Sequence, residues 1–365
     1  MSLLKSVVPS TAHAAPEPAI ERRTVDPRTD PSWATIMTGA RGSLFGSPPW
    51  IAAVADTYGF DVTADVLLRD GTPVAGLACV ELDDMRGHRV VSLPFGDRLD
   101  PVVDDDDQWE RLATPLLARE RPVHLRILEA RPPLRDARFR PTNELAWHAT
   151  DLDRPESDLL AGLHRQVRQN LRAADRHGVT VRLGTGLEDV RTFHELHRAT
   201  RKRKFRLLAQ PLALFERIWE RFEPLDQLVV GLATHDGTVI AGALYLIWND
   251  VIYYKFGASV AEHLVVRPNE LLAWESMRLG QELGCRTYDW GVTDLDQPGL
   301  LAYKQKYATE ERRVVALLHT PPGYDASASA EAGRVLSQLT DLLTRRDVPD
   351  EVTTRAGELL YRFFC

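Results

Sequence analysis

The residues of this 365-residue chain whose types and spacing bear on chemistry are mostly cations. Between 159 and 177, Arg165, Arg168, Arg172 and Arg176 follow at steps of three, four and four. On a helix that spacing makes one stripe. Beside it run Leu160, Leu163, Val167, Leu171 and Ala174, an apolar stripe fit for a core. Four arginines with few interleaved acids read either as a solvated face or as a phosphate-binding row, because guanidinium suits bidentate phosphate contact. The segment 198–206 adds Arg198, Arg201, Lys202, Arg203, Lys204 and Arg206 with no acid among them. In an acidic chain this is a local positive field, suited to substrate or RNA phosphate. Part of it also complements the end of a helix. Tyr303-Lys304, with Lys306 two residues on, sits on a short amphipathic turn. A lysine there is either a surface residue or a fixed cation. Asp289, in Tyr-Asp-Trp-Gly, ends a buried-looking strand that leads into this region. It is expected to orient an amine, to pair with Lys304 or to shape a turn.

Other chemistries find little support. No Ser-His-Asp order and no Cys-His pairing suggests a covalent nucleophile. The closest histidines, His194 and His197, lack the companions of a zinc motif. Cys79, Cys285 and Cys365 are far apart and odd in number, which argues for a reducing compartment. Neither a P-loop nor a GxGxxG occurs. The expectation is therefore an enzyme without metal or resident cofactor.

The elements that position these residues read as α/β. A length of 365 predicts about two domains. The 45 basic and 52 acidic residues give a net charge of −7, against a nucleic-acid coat protein but not against a local basic site. No uncharged apolar run approaches the roughly 18 residues of a membrane span. Residues 1–30 read as a disordered cytoplasmic tail, the alternative being a signal peptide whose apolar run Pro9 cuts short. Ser47-Pro48-Pro49 predicts a helix start and Gly59 its end. Asp70-Gly71 predicts a hairpin between strands 62–69 and 74–82. Asp104–Asp107 reads as a solvated loop that caps the helix 109–120. In the second half, a helix over 159–177 precedes a strand, two helices (187–201 and 212–222), a meander over 228–257, a helix over 269–283 capped by Asn269, a strand over 286–291 and a helix over 300–307. Helix, hairpin, strand, helix, strand recurs in both halves, which suggests one fold used twice.

Six stretches carry a family resemblance. LHRQVRQNLRAADRHGV (163–179), VIAGALYLIWNDVIYYKFGAS (239–259), RPNELLAWESMRLGQELGCRTYDWG (267–291) and LLAYKQKYA (300–308) resemble, in order and spacing, the second domain of the Fem peptidoglycan aminoacyltransferases. FGSPPWIAAVADTYG (45–59) and SLPFGDRLDP (92–101) look like stretches of the first. The resemblance implies two tandem GNAT-like domains, at 31–150 and 151–322, with helices of 325–365 completing the first. It implies transfer of an aminoacyl group from aminoacyl-tRNA to an amine of a peptide-like metabolite or cell-wall precursor, without ATP. In the family a lysine after an aromatic is implicated in holding the developing oxyanion, and that role falls on Lys304. A reference pKa of about 10.4 keeps such a lysine charged at neutral pH. Tyr303, Tyr254, Asn269 and Arg98 are the matching substrate-binding candidates, with Arg201, Arg203, Lys204 and Arg206 from the basic segment. That segment precedes Gln210-Pro211 and Phe215, which border the substrate cleft in relatives. Two departures matter. Acetyl-CoA-dependent GNAT enzymes usually carry a glycine loop before the helix at 269, where this chain has Arg267-Pro268-Asn269-Glu270, so an acyl-CoA donor is the alternative. Cell-wall members usually carry a lysine after the aromatic matching Trp50, where this chain has Ile51-Ala52-Ala53-Val54. A non-catalytic RNA- or nucleotide-sugar-binding protein is the third reading.

Overall fold

The structure, a computed structural model, describes residues 20–128 and 130–365. The tail expected over 1–30 therefore lies outside the described residues up to 19. Beyond that point it is ordered: β1 (Ile20–Val25) pairs antiparallel with β2 (Val62–Arg69), Ile20 opposite Arg69 and Val25 opposite Ala64. IERRTV carries too much charge to look like a core strand. As an edge strand it needs no apolar run, and Arg22 and Thr24 instead bond the buried Asp65 at 3.2 and 2.6 Å.

Local signals set the rest of the first half. Asp30 caps α1 (Pro31–Thr38) through the amides of Ser32 and Trp33. Ser47 caps α2 (Pro48–Tyr58), and Gly59 closes it at φ 68°, in the left-handed region. Asp70 and Gly71, at φ 51° and 78°, turn β2 into β3 (Thr72–Asp84). There follow β4 (Gly87–Val91), α3 (Asp106–Leu117, capped by Asp105), β5 (Val123–Ile127), α4 (Arg131–Arg135) and β6 (Arg140–Asp151).

The helix expected over 159–177 is two: α5 (Glu156–Gly162) and α6 (Arg165–Arg176). The break falls at Leu163 and His164. Leu163 is buried and extended, and the His164 ring accepts the Gln166 amide as a cap. Arg168 turns back to the carbonyls of Ala161 and Leu163 at the end of α5. Next come β7 (Thr180–Gly184), α7 (Leu187–Thr200) and a π-helical turn, Arg201–Phe205. After α8 (Leu212–Phe222), the meander is β8 (Leu228–His235), β9 (Thr238–Trp248) and β10 (Val251–Ser259). The chain ends with α9 (Pro268–Glu282), β11 (Thr287–Asp294), α10 (Pro298–Lys304), β12 (Glu310–His319), α11 (Ser327–Leu343) and α12 (Asp350–Leu360).

The twelve strands among the described residues form one sheet, ordered β1-β2-β3-β4-β5-β12-β6-β11-β10-β9-β8-β7. The two halves exchange strands at its centre. β12, late in sequence, lies between β5 and β6, and β6 completes the sheet of the second half beside β11. The largest core cluster also spans both halves, from Phe45 and Trp50 to Phe215 and Tyr253. The C-terminal helices touch both. Tyr361 packs on Tyr58 and Phe95, while Asp350 pairs with Lys202 at 2.6 Å and Asp341 with Arg206 at 2.9 Å.

Candidate active site

β10 and β11 run parallel and pair only from Val251–Thr287 to Tyr253–Asp289. Beyond that they part, and each is irregular where it parts. β10 carries one extra residue between Tyr254 and Phe256 against β9, and β11 shifts register between Asp289 and Val292 against β6. A bulge re-aims side chains. Here it lets two consecutive residues, Tyr254 and Lys255, reach one cavity of about 640 Å³. Gly257–Ser259 and Trp290–Val292 form its sides, Asn269 at the start of α9 lies below, and Tyr303 and Lys304 of α10 close it.

Lys304 is 6% exposed. Its Nζ donates to the carbonyls of Gly291 (3.2 Å) and Val292 (3.0 Å). An ammonium has three donors, so one remains for the cavity. Burial pulls its pKa down to about 8, against the pull of Asp97 and Asp289 toward the charged form. The reference value is therefore not retained. Water that would solvate the ammonium is excluded, and two carbonyl dipoles replace it only in part.

The carboxylate in this cavity is Asp97, which sequence reasoning missed in favour of its neighbour Arg98. Lys255 donates to Asp97 Oδ1 at 2.6 Å and to the Phe95 carbonyl at 3.4 Å. The Lys255 ammonium also sits 4.6 Å from the Phe45 ring centre and 5.1 Å from that of Trp50. Burial pushes Asp97 toward the neutral form, but Lys255 and Lys304 outweigh it and hold its pKa below the ordinary value. Gly291, at φ 67°, passes directly under it, and a Cβ there would lie 2.5 Å from Asp97 Oδ2. The visible signals were the FGD and YYKF strings. What they lacked was any hint that residues 97 and 255 meet.

Asp289 is brought near but not into this cavity. Its Oδ1 accepts the Gly291 amide at 2.7 Å, the turn-shaping role among those expected, and no ion pair joins it to Lys304. Burial raises its pKa, against Arg98 at 4.0 Å. Arg98, which also pairs with Asp100 at 3.4 Å and lies over Trp147, faces a separate cavity with Asp289 and Arg312. Tyr254, Asn269 and Tyr303 do line the Lys304 cavity. Asn269 is not the cap of α9: Pro268 takes the first helical position, and Arg267, at φ 64°, is the cap residue.

The basic segment divides. Lys204 reaches the cavity wall beside Phe205. Arg201 bonds the Leu208 carbonyl, Lys202 is buried against Asp350 and Val348, and Arg206 binds Asp341, so these three tie the chain together. Arg203 is 71% exposed, 3.8 Å from Asp350. Gln210 is not at the cavity. Its side-chain and backbone oxygens meet His197 at 2.8 Å and His194 at 3.1 Å, and both rings pack on Phe215. On α6, Arg165, Arg172 and Arg176 are exposed and away from the cavity.

The family model of the acetyltransferase (GNAT) domain matches residues 161–305. A lipid II:glycine glycyltransferase of Staphylococcus haemolyticus is 32% identical over 100 residues, covering 26% of this chain and 24% of that protein. The Staphylococcus aureus protein of the same name is 34% identical over 80 residues, 20% of this chain and 19% of its own length. The match thus spans about a quarter or less of these relatives. Among solved structures, FemX aligns over 89% of this chain and 100% of its own, at TM-score 0.66 and 16% identity. A tandem GNAT protein from the clavulanic acid biosynthesis pathway aligns over 84% and 100%, at TM-score 0.53 and 15% identity. The fold is the tandem GNAT fold.

Proposed function

We propose that this chain, a Fem-type member of the GNAT superfamily, forms amide bonds by transferring an aminoacyl group from aminoacyl-tRNA to the amine of a cell-wall precursor or peptide-like metabolite. The observation that carries the reading is Lys304. It is a buried ammonium with one donor free, set at the cavity opened by the parting of β10 and β11. Attack of an amine on an ester carbon makes a tetrahedral oxyanion, and a preformed donor of this kind stabilises it. Asp97 is the one carboxylate among the described residues lining the cavity. Held charged by Lys255, it hydrogen-bonds and orients the acceptor amine, which attacks in its neutral form after losing a proton to water. As the C–N bond forms and the ester C–O bond breaks, the proton the amine gives up passes to the departing ribose oxygen. Its low pKa suits positioning better than strong basicity. The chain's own residues supply these roles, the ester arrives already activated, and the reading includes no metal or bound cofactor. It places the chain in the cytoplasm, where charged tRNA is found.

The start of α9 supports tRNA over acyl-CoA. A pyrophosphate needs consecutive free amides at a helix N-terminus. Here the first helical residue is Pro268, without an N–H, and the residue before it is a left-handed arginine in place of a glycine. The test is incubation of the protein and candidate acceptor amines with a mixed pool of charged tRNAs, and separately with acyl-CoAs, followed by mass analysis. Amide product from the tRNA pool alone is expected. Product from acyl-CoA alone overturns the donor, and product from neither overturns the reading.

A further inference from the structure

We propose that a second cavity, lined by the end of α7, the π-helical turn, the end of β10 and the link from α11 into α12, is a phosphate-ester subsite for the donor. It rests on the transfer reading above. The cavity holds about 520 Å³ and shares Thr200, Lys204 and Ser259 with the Lys304 cavity. The partition between the two is thin. Thr200 and the backbone of Ser259 bond each other at 3.2 and 3.3 Å, and Lys204 stands at the rim of both cavities.

Four cations line it, Lys202, Arg203, Lys204 and Arg346, against two acids, Glu262 and Asp350. Asp350 is already shared by Lys202 at 2.6 Å and by Arg198 and Arg203 at 3.8 Å. Lys204 and Arg346 have no carboxylate partner among the described residues. The excess is thus positive inside a chain of net charge −7. The backbone that presents it is unusual. Residues Arg201–Phe205 form a π-helical turn ended by Arg206 at φ 56°, a geometry often found at functional sites. Arg346, from the link between α11 and α12, completes the cation set from the far side. The C-terminal helices therefore do more than pack. The link between them supplies one cation, and Asp350 at the start of α12 anchors another. A nucleoside phosphate ester, whose acyl end lies at Lys304, is the ligand chemistry that fits the next cavity along.

The experiment compares Arg203→Ala/Arg346→Ala with the wild-type full chain and with Arg111→Ala/Arg217→Ala, which removes equal charge elsewhere. Two probes are used, an uncharged RNA minihelix ending in CCA and coenzyme A, each titrated at several KCl concentrations. The expected result is RNA binding about tenfold weaker for the first variant, with a salt slope shallower by roughly 1.4–1.8, since each of the two lost phosphate contacts removes roughly 0.7–0.9. The second variant should match wild type. If coenzyme A shows that loss and RNA does not, the subsite stands and the tRNA donor falls. Unchanged RNA affinity and slope in Arg203→Ala/Arg346→Ala overturn the subsite and leave the transfer reading intact. Failure of the wild type to bind either probe also overturns it.

Discussion

A buried lysine is useful here only while it is charged, and burial has moved its titration into an accessible range. With a pKa of about 8, the Lys304 ammonium persists at neutral pH and is lost as pH rises through 8. Single-turnover transfer should therefore fall on the alkaline side of about pH 8. Lys304→Met should lower the rate by about two orders of magnitude, from lost transition-state stabilisation, and remove that limb. Its thermal stability should hold, because an apolar side chain of similar length replaces a buried charge. The neighbouring Lys306 donates to Gln166 on the surface, and Lys306→Met should do far less. A second residue-scale prediction concerns Lys255. Its side chain is 7% exposed and that of Asp97 is 21%. Lys255→Met leaves the partly buried Asp97 without its bonded cation, with only the longer-range pull of Lys304 and Arg126. Breaking one side of such a pair costs about 3 kcal/mol. Adding Asp97→Asn should recover much of this in urea denaturation, while either variant alone impairs transfer.

At the scale of elements, the site exists because two parallel strands stop pairing. Gly291 is the hinge of that event, since it takes the left-handed conformation where β11 leaves the register of β6. Gly291→Ala carries both a backbone penalty and a Cβ that meets Asp97 Oδ2. Expected outcomes are a destabilisation of about 1–2 kcal/mol and a loss of transfer larger than stability explains, measured together by melting and by turnover. Full turnover in Gly291→Ala would mean that the Asp97 position is not needed.

At the scale of the molecule, the exchanged strands join the halves into one body. A fragment of residues 151–322 lacks β6 and would leave β11 and β12 with unpaired edges. The full chain should unfold in one transition by both circular dichroism and tryptophan fluorescence. The fragment should fail to give a cooperative transition. Two separate transitions in the full chain would show that the exchange does not couple the halves.

What the sequence determined by itself was whatever short-range chemistry fixes. Ser47 and Gly59 bound α2 because capping is local, and Asp70-Gly71 turns because two left-handed residues are needed there. The lysine of α10 was singled out by the family resemblance that its nine-residue motif carries. The helix 159–177 misled because its two stripes are periodic while the break depends on His164 capping one helix against another. Tertiary structure alone decided the rest. Asp97 and Lys255 meet across 158 residues. The basic segment looked like one field, but its cations divide between holding the C-terminal helices and facing the cavities, because carboxylates more than 130 residues away claim Lys202 and Arg206. Asp97 and Arg98 are adjacent yet serve different cavities. Even the charge state of Lys304 depends on how much water the fold excludes, a property no spacing of residues records.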